Sequence, residues 1–352
     1  MIFKTKPKGF FVDRNEHSWM LARVSSTTTP CTVEQLLEIP VNDEAALKSA
    51  LLEIQNGKTS GNFLTAVCGV YPSKRIIRRV TLEAKRLKET NYLNEVCIQQ
   101  FRIEPEKHTL AVVNYSTGVT LDPVKLVDKD VLIAGIPNDE VISAQDSLLA
   151  SGVYPSRLEL GSLSSLGAIV DYLRFAKLKS PTLLLELGNE STHSFILSPN
   201  GVEASRPIPF GIESMVPVVQ KKLGLKDEES ARKLFYSNTF DFTSMGSELV
   251  QRLLKELQSS IGFFEVQTGQ SISQLVCTAL PGKLGWIQSS IATALGINAM
   301  KVDMAGWLQS HQLSLSEQAK AAEPDTRWIS LFSLILSHQT NAANAAVADK
   351  KD

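Results

Sequence analysis

Residues 183–201 read LLLELGNESTHSFILSPNG. The run Leu183-Leu184-Leu185 ends in Glu186, Gly188 follows, a polar turn Asn189-Glu190-Ser191-Thr192 comes next, and a stretch from Ser194 to Leu197 leads to Pro199-Asn200-Gly201. Apolar runs flanked by Gly and Asn-Gly turn chemistry predict two successive β-hairpins. An acid at the end of a buried strand, followed by glycine and hydroxyl side chains, is also the raw material of a phosphate grip. Its carboxylate can hold a hydrated Mg²⁺, and the backbone N–H groups of the turn can face a phosphate. A plain hairpin with a solvated tip is the competing reading, because short motifs often match by chance.

The same unit occurs near the N-terminus. Alternation begins at Phe10-Phe11-Val12-Asp13, breaks at Arg14-Asn15-Glu16-His17 and resumes from Ser18 to Val24. Asp13 then corresponds to Glu186, so one supersecondary unit is used twice. A helix from Asp43 to Gln55, with Ala46, Leu47, Ala50, Leu51 and Ile54 on one face, leads into the apolar strand Phe63–Cys68. Hairpin, helix, strand is the order of an α/β half-domain.

After Tyr71-Pro72 the rhythm changes. Expected in turn are a strand at Lys74–Leu82, a helix at Ala84–Gln100, strands within Phe101–Asn114 and Val131–Ile136, and a helix at Asn138–Ala150. Strand Val153–Leu160 and helix Ser162–Lys177 resume the larger pattern. The expected division is therefore a first half of residues 1–72 plus 153–180, interrupted by a small α+β module at 73–152. A second half follows at 181–211 plus 246–339, carrying a helical cap at 212–245. A long helix at Glu248–Gln267 places Leu249, Val250, Leu253, Leu254, Leu257, Ile261 and Phe264 on a core-facing stripe. The tail AANAAVADKKD has little to bury, so disorder is expected over 340–352.

Composition narrows the function classes. The chain has 352 residues, 43% hydrophobic, and 36 Lys+Arg balance 37 Asp+Glu. With a net charge of −1 it has no basic field for a phosphate backbone, so no nucleic-acid partner is expected. Cys31, Cys68, Cys97 and Cys277 form no CxxC pair and read as reduced, buried thiols of a cytoplasmic protein. His17, His108, His193, His311 and His338 are isolated, and no metal is assigned to them. Neither a signal peptide nor an apolar run long enough to span a bilayer is evident.

Four further segments carry a resemblance: Arg206-Pro207-Ile208-Pro209-Phe210-Gly211, Lys221-Lys222-Leu223-Gly224-Leu225, Ala231-Arg232-Lys233-Leu234 and Phe263-Phe264-Glu265-Val266-Gln267-Thr268-Gly269. In order and spacing, with the two hairpins, they resemble the type IV pilus assembly protein PilM family of the actin-like ATPase superfamily, which also includes FtsA. The likeness runs from about Phe10 to Leu336, strongest over 181–270. It implies an actin-like (RNase H-like) duplicated α/β fold with an inserted SHS2-like module. It also implies a cytoplasmic scaffold, peripheral at the inner membrane, that binds the tail of a PilN-like bitopic membrane protein in the groove between first half and module. Self-association is a further implied contact. Ile76, Ile77 and Val80 of the module's first strand are the expected partner-binding residues.

On the same resemblance, the nucleotide-facing residues are Asp13, Glu186, Gly188, Ser191, Thr192, Gly211 and Gly282, with no catalytic residue assigned. The departures fall on these loops. Asn15 stands where the family has glycine, Glu186 stands for an aspartate, and Cys277-Thr278-Ala279-Leu280-Pro281-Gly282 lacks a double glycine. Such loops imply a degenerate site with no cofactor or only weak ATP/Mg²⁺ binding. The alternative is an active ATPase, or an FtsA-like filament former, that binds and hydrolyses ATP.

Overall fold

Strand β1 (Gly9–Arg14) turns into β2 (Ser18–Val24), which turns again into β3 (Cys31–Pro40). The computed structural model describes residues 9–57, 62–127, 129–237 and 239–348. Helix α1 (Glu44–Ile54) starts at Asp43, whose carboxylate accepts the Ala46 N–H at 2.9 Å, and buries Leu47, Ala50, Leu51 and Ile54. Then come β4 (Leu64–Val70), β5 (Ile76–Thr81), α2 (Tyr92–Phe101), β6 (His108–Val113), β7 (Asp130–Pro137), α3 (Asn138–Ala150), β8 (Val153–Leu160) and α4 (Gly161–Phe175).

The remainder opens with β9 (Thr182–Leu187), β10 (Thr192–Ser198) and β11 (Gly201–Ile208), the two hairpins expected from the 183–201 stretch. Helices α5 (Val216–Leu223), α6 (Glu228–Phe235), α7 (Gly246–Leu249) and α8 (Gln251–Thr268) follow. Gly224, at φ 62°, ends α5 in the left-handed region where only glycine is unstrained. Next are β12 (Gln274–Thr278), α9 (Trp286–Leu295), β13 (Asn298–Ala299), α10 (Met304–Ser310), β14 (Leu313–Leu315), α11 (Glu317–Lys320) and α12 (Ile329–Ala348).

Two compact units result, one within residues 1–172 and 302–352, the other spanning Leu173–Lys301. The first holds the sheet β14-β3-β2-β1-β4-β8 and the second holds β11-β10-β9-β12-β13. Without β14 the orders are identical: third, second and first strands antiparallel, then the fourth and fifth parallel to the first. This is the actin-like duplicated fold. The central strands are buried on both faces and read as near-continuous apolar runs for that reason.

The inserted module has its own three-stranded antiparallel sheet, β5-β7-β6, and its own core around Val80, Val96, Val112, Val131 and Ile133. Helix α3 is shared. It touches β6 and β7, yet its Leu148 lies in the core beneath the first large sheet with Val12, Trp19 and Leu51. The helix expected over Ala84–Gln100 is confined to α2, because Asn91 occupies its N-cap and the preceding residues form turns. The cap segment is not a separate body, since Val216, Val219, Ala231 and Phe235 enter the same core as Leu253, Leu257 and Ile287.

One boundary expected from the sequence is corrected. The second half does not extend to 339: the chain returns at Val302, and β14 pairs with β3 in the first sheet. Trp307, Trp328, Leu331, Phe332 and Ile335 are buried in this returning segment. The tail expected to be disordered, 340–352, continues the backbone of α12 as far as Ala348; residues 349–352 lie outside the described residues. Alanine has the highest helix propensity, and a helix already nucleated by packed turns propagates cheaply into an Ala/Asn run.

Candidate functional site

The two acid-ended hairpins are the expected nucleotide loops. In the first unit, Asp13 is the penultimate residue of β1, 1% exposed, opposite Met20 on β2 and Gly69 on β4. The pairing explains Gly69: a Cβ there would meet Asp13 Oδ1. The Tyr71 hydroxyl lies 3.1 Å from Asp13 Oδ2 and 2.7 Å from Ser330 Oγ, and Ser330 Oγ in turn lies 3.2 Å from the Gly161 carbonyl. Ser165 Oγ lies 3.5 Å from the same hydroxyl, which has one proton to donate and an oxygen that also accepts.

The turn after Asp13 is closed by a side chain. Asn15 Oδ1 accepts the backbone N–H groups of His17 at 2.8 Å and Ser18 at 2.9 Å, and Asn15 N–H donates to the Ser18 carbonyl at 3.2 Å. These are the donors that a phosphate-binding hairpin would aim at its ligand. Asn15 supplies the acceptor itself, an Asx turn that also explains its burial. Arg14 spreads its guanidinium over the Trp19 ring at 4.9 Å, and burial pushes its pKa down.

In the second unit Glu186 is the penultimate residue of β9, 1% exposed, opposite His193 on β10 and Thr278 on β12. Here the backbone closes the turn. Gly188 N–H donates to the Ser191 carbonyl at 2.9 Å, and the Gly188 and Asn189 carbonyls accept Ile212 and Glu213 N–H, each at 2.9 Å. Thr192 Oγ1 donates to the Phe210 carbonyl at 2.7 Å. Gly211 lies so close to the turn that an added Cβ would collide with the Asn189 carbonyl. Gly188, Thr192 and Gly211 thus hold one another. Gly282 begins a single 3₁₀ turn after Pro281, pinned by buried Leu280 and Leu284.

Residues missed by the sequence reading complete the first unit's site. Arg75, 8% exposed, donates from Nε to Ser162 Oγ at 2.7 Å and from Nη1 to the Pro72 carbonyl at 3.0 Å, with its guanidinium over the Tyr71 ring. Glu159, paired with Arg157 at 2.6 Å, has its pKa raised by burial against the opposing pull of that cation. An acid in the penultimate position of a strand, two residues before a Gly-Ser helix start, was the available signal for Glu159. Nothing local marks Tyr71 or Ser330, which lie 259 residues apart.

A pocket of about 380 Å³ adjoins the first hairpin. Arg14, Asn15 and Glu16 form one side, Val70–Ser73 the floor, and Glu140, Ser143 and Ser147 of α3 the other side. Glu140 accepts the Lys74 N–H at 3.1 Å and the Ser73 hydroxyl at 3.2 Å. The expected partner-binding residues lie on β5, an edge strand of the module's sheet. Ile77 and Val80 are 1% and 6% exposed, and Ile76 packs against the module core. Arg78 and Arg79 on the same strand are half-buried and Thr81 is exposed. The module's apolar recess, about 350 Å³, lies instead among Leu87, Leu93, Cys97, Leu110, Leu121 and Ile133.

No family model and no curated protein matches the chain. Among solved structures, a chain of the PilM-PilN type IV pilus biogenesis complex superposes with TM-score 0.66 at 17% identity, over 94% of this chain and 98% of that one. Ethanolamine utilization protein EutJ from Carboxydothermus hydrogenoformans gives 0.43 at 10%, covering 94% and 89%. The cytoplasmic domain of EpsL, an inner membrane component of the type II secretion system of Vibrio cholerae, gives 0.39 at 11%, covering 95% of each chain. No helix among the described residues is long and apolar enough to cross a membrane. The likeness to the first of these, with the strand order repeated in both units, gives the chain the actin-like fold.

Proposed function

We propose that the chain is a PilM-like scaffold of a type IV pilus or related secretion assembly, holding the cytoplasmic tail of a PilN-like bitopic membrane protein, with its nucleotide loops degenerate. The observation that carries this reading is the self-closure of both loops. Asn15 takes the donors of the first turn and Ser191 takes Gly188 N–H in the second, so neither turn offers those donors to a phosphate. The residues do not fit a tightly held Mg–ATP. What the fold retains is a polar pocket between the first hairpin and α3, near the junction with the module.

The pocket suits an extended peptide. Arg14 and the serines can meet carbonyl groups, while Glu16 and Glu140 can meet N–H groups or a basic side chain. Held through that peptide, the protein is peripheral at the inner membrane. Titrating the full chain with the cytoplasmic tail of a candidate bitopic protein tests the reading. Micromolar binding is expected, because contacts of this size must offset the ordering of the tail. Ser143→Trp and Ser147→Trp should abolish it by filling the pocket, and Glu186→Gln should leave it unchanged. Deleting 73–152 is a poorer test, because it removes Leu148 from the large-sheet core. Binding that survives a filled pocket, or saturable ATP hydrolysis, would overturn the reading.

A further inference from the structure

Tyr71 belongs to two features at once. It lines the 380 Å³ pocket, and its hydroxyl reaches Asp13 on β1 and Ser330 on α12. The ring rests on Gly161, where an added Cβ would strike it, and the Arg75 guanidinium lies 5.7 Å from its centroid. Ser162, beside Gly161 at the start of α4, receives the Arg75 Nε–H. The segment 71–75 that leads from β4 into the module is thereby fastened to β1, α4 and α12 by polar contacts buried inside the first unit.

We infer that the Tyr71 hydroxyl is a latch coupling the pocket to the acid-bearing hairpin and the last helix. A group entering the pocket against Tyr71 must work against the bonds to Asp13 and Ser330. Conversely, whatever moves α12 or Asp13 alters the pocket wall. Because a tyrosine oxygen accepts as well as donates, the one hydroxyl can hold Asp13 and Ser330 together. Only the identity of the occupant, a membrane protein's tail, rests on the function proposed above; the latch is a property of the chain alone.

Amide hydrogen exchange on the full-length protein reads the latch directly. Ser330 is not among the pocket's lining residues. Ser330→Ala is nevertheless expected to speed exchange at Arg75, Asn15, His17 and Ser18, whose N–H groups are hydrogen-bonded, by roughly fivefold, the equivalent of one lost hydrogen bond. Tyr71→Phe, which keeps the ring and removes the hydroxyl, should do the same, and the double variant should add little to either. Uniform loosening of the whole unit, additive effects, or unchanged exchange at those amides would overturn the latch. With a tail bound, Ser330→Ala should change its affinity severalfold, and an unchanged affinity would likewise overturn it. Exchange that responds while no tail binds would leave the latch standing and remove the proposed partner.

Discussion

The two sheets carry the same five strands in the same order, and corresponding positions can be read across. Asp13 matches Glu186, Cys68 matches Cys277, and Gly69 matches Thr278, each pair fixed by the register of the first and fourth strands. The turns after the acids share one backbone bond, Asn15 N–H to the Ser18 carbonyl and Gly188 N–H to the Ser191 carbonyl, and differ in what is added to it. In the first unit an asparagine carboxamide caps the turn, and a tyrosine reaches the acid. In the second, glycine permits backbone to pack on backbone. A turn closed by a side chain can be reopened by one substitution that spares the backbone path. A turn closed by the backbone cannot. The duplicated fold therefore holds one loop whose closure is removable and one whose closure is part of the core.

Gly211→Ala should show the contrast most strongly. The new methyl runs into the Asn189 carbonyl, a backbone atom without a rotamer to retreat to, so a loss of about 3 kcal/mol is expected in denaturant unfolding. Gly69→Ala, whose methyl meets the Asp13 carboxylate, should cost visibly less because that side chain can turn. Equal losses would erase the distinction between the two closures.

Next in size is Asn15→Gly. Losing the carboxamide leaves two N–H groups to water at a partly open turn, a cost of about 1–2 kcal/mol. The same change frees donors for a phosphate. Wild-type protein should gain little thermal stability from millimolar Mg–ATP, since a ligand at its Kd adds only about 0.4 kcal/mol. A larger gain in Asn15→Gly would sharpen the comparison. A large saturable gain in the wild type would break it.

The smallest effect near neutral pH comes from the matched thiols. Burial, with the Asp13 charge second, pushes Cys68 up to about 12 from an ordinary 9.0, and burial alone raises Cys277. The folded state keeps both protonated, so their contribution is complete below pH 9 and is lost as pH rises toward the folded value. Above pH 9 stability should fall by up to about 1.4 kcal/mol per pH unit for each thiol. Each Cys→Ala variant should flatten about half of that slope. Fast labelling of either thiol in the native protein at neutral pH would contradict it.

Much of this was legible in the chain. Alternation of two gave both hairpins, the spacing of three and four gave α1 and α8, and the repeated acid near a strand end exposed the duplication. The candidate site was legible only as positions. Asn15 was visible as a departure from glycine, but whether it crowds a ligand or replaces one depends on where its oxygen points. On β5, likewise, alternation shows that a strand has two faces without showing how much of each is covered.

By itself the sequence determined what local periodicity and chemistry can carry: the strands of both hairpins, most of the longer helices, the module as an interruption, the near-neutral net charge, and the acids one residue before the ends of β1 and β9. Tertiary structure alone decided the rest. The return of 302–348 to the first unit depends on a three-residue strand, Leu313–Leu315, too short to show any period. The latch joins Tyr71 to Ser330 across most of the chain, and the pocket draws its walls from three separated segments. Such contacts are set by which surfaces can be buried together, a property of the folded whole that no stretch of residues states on its own.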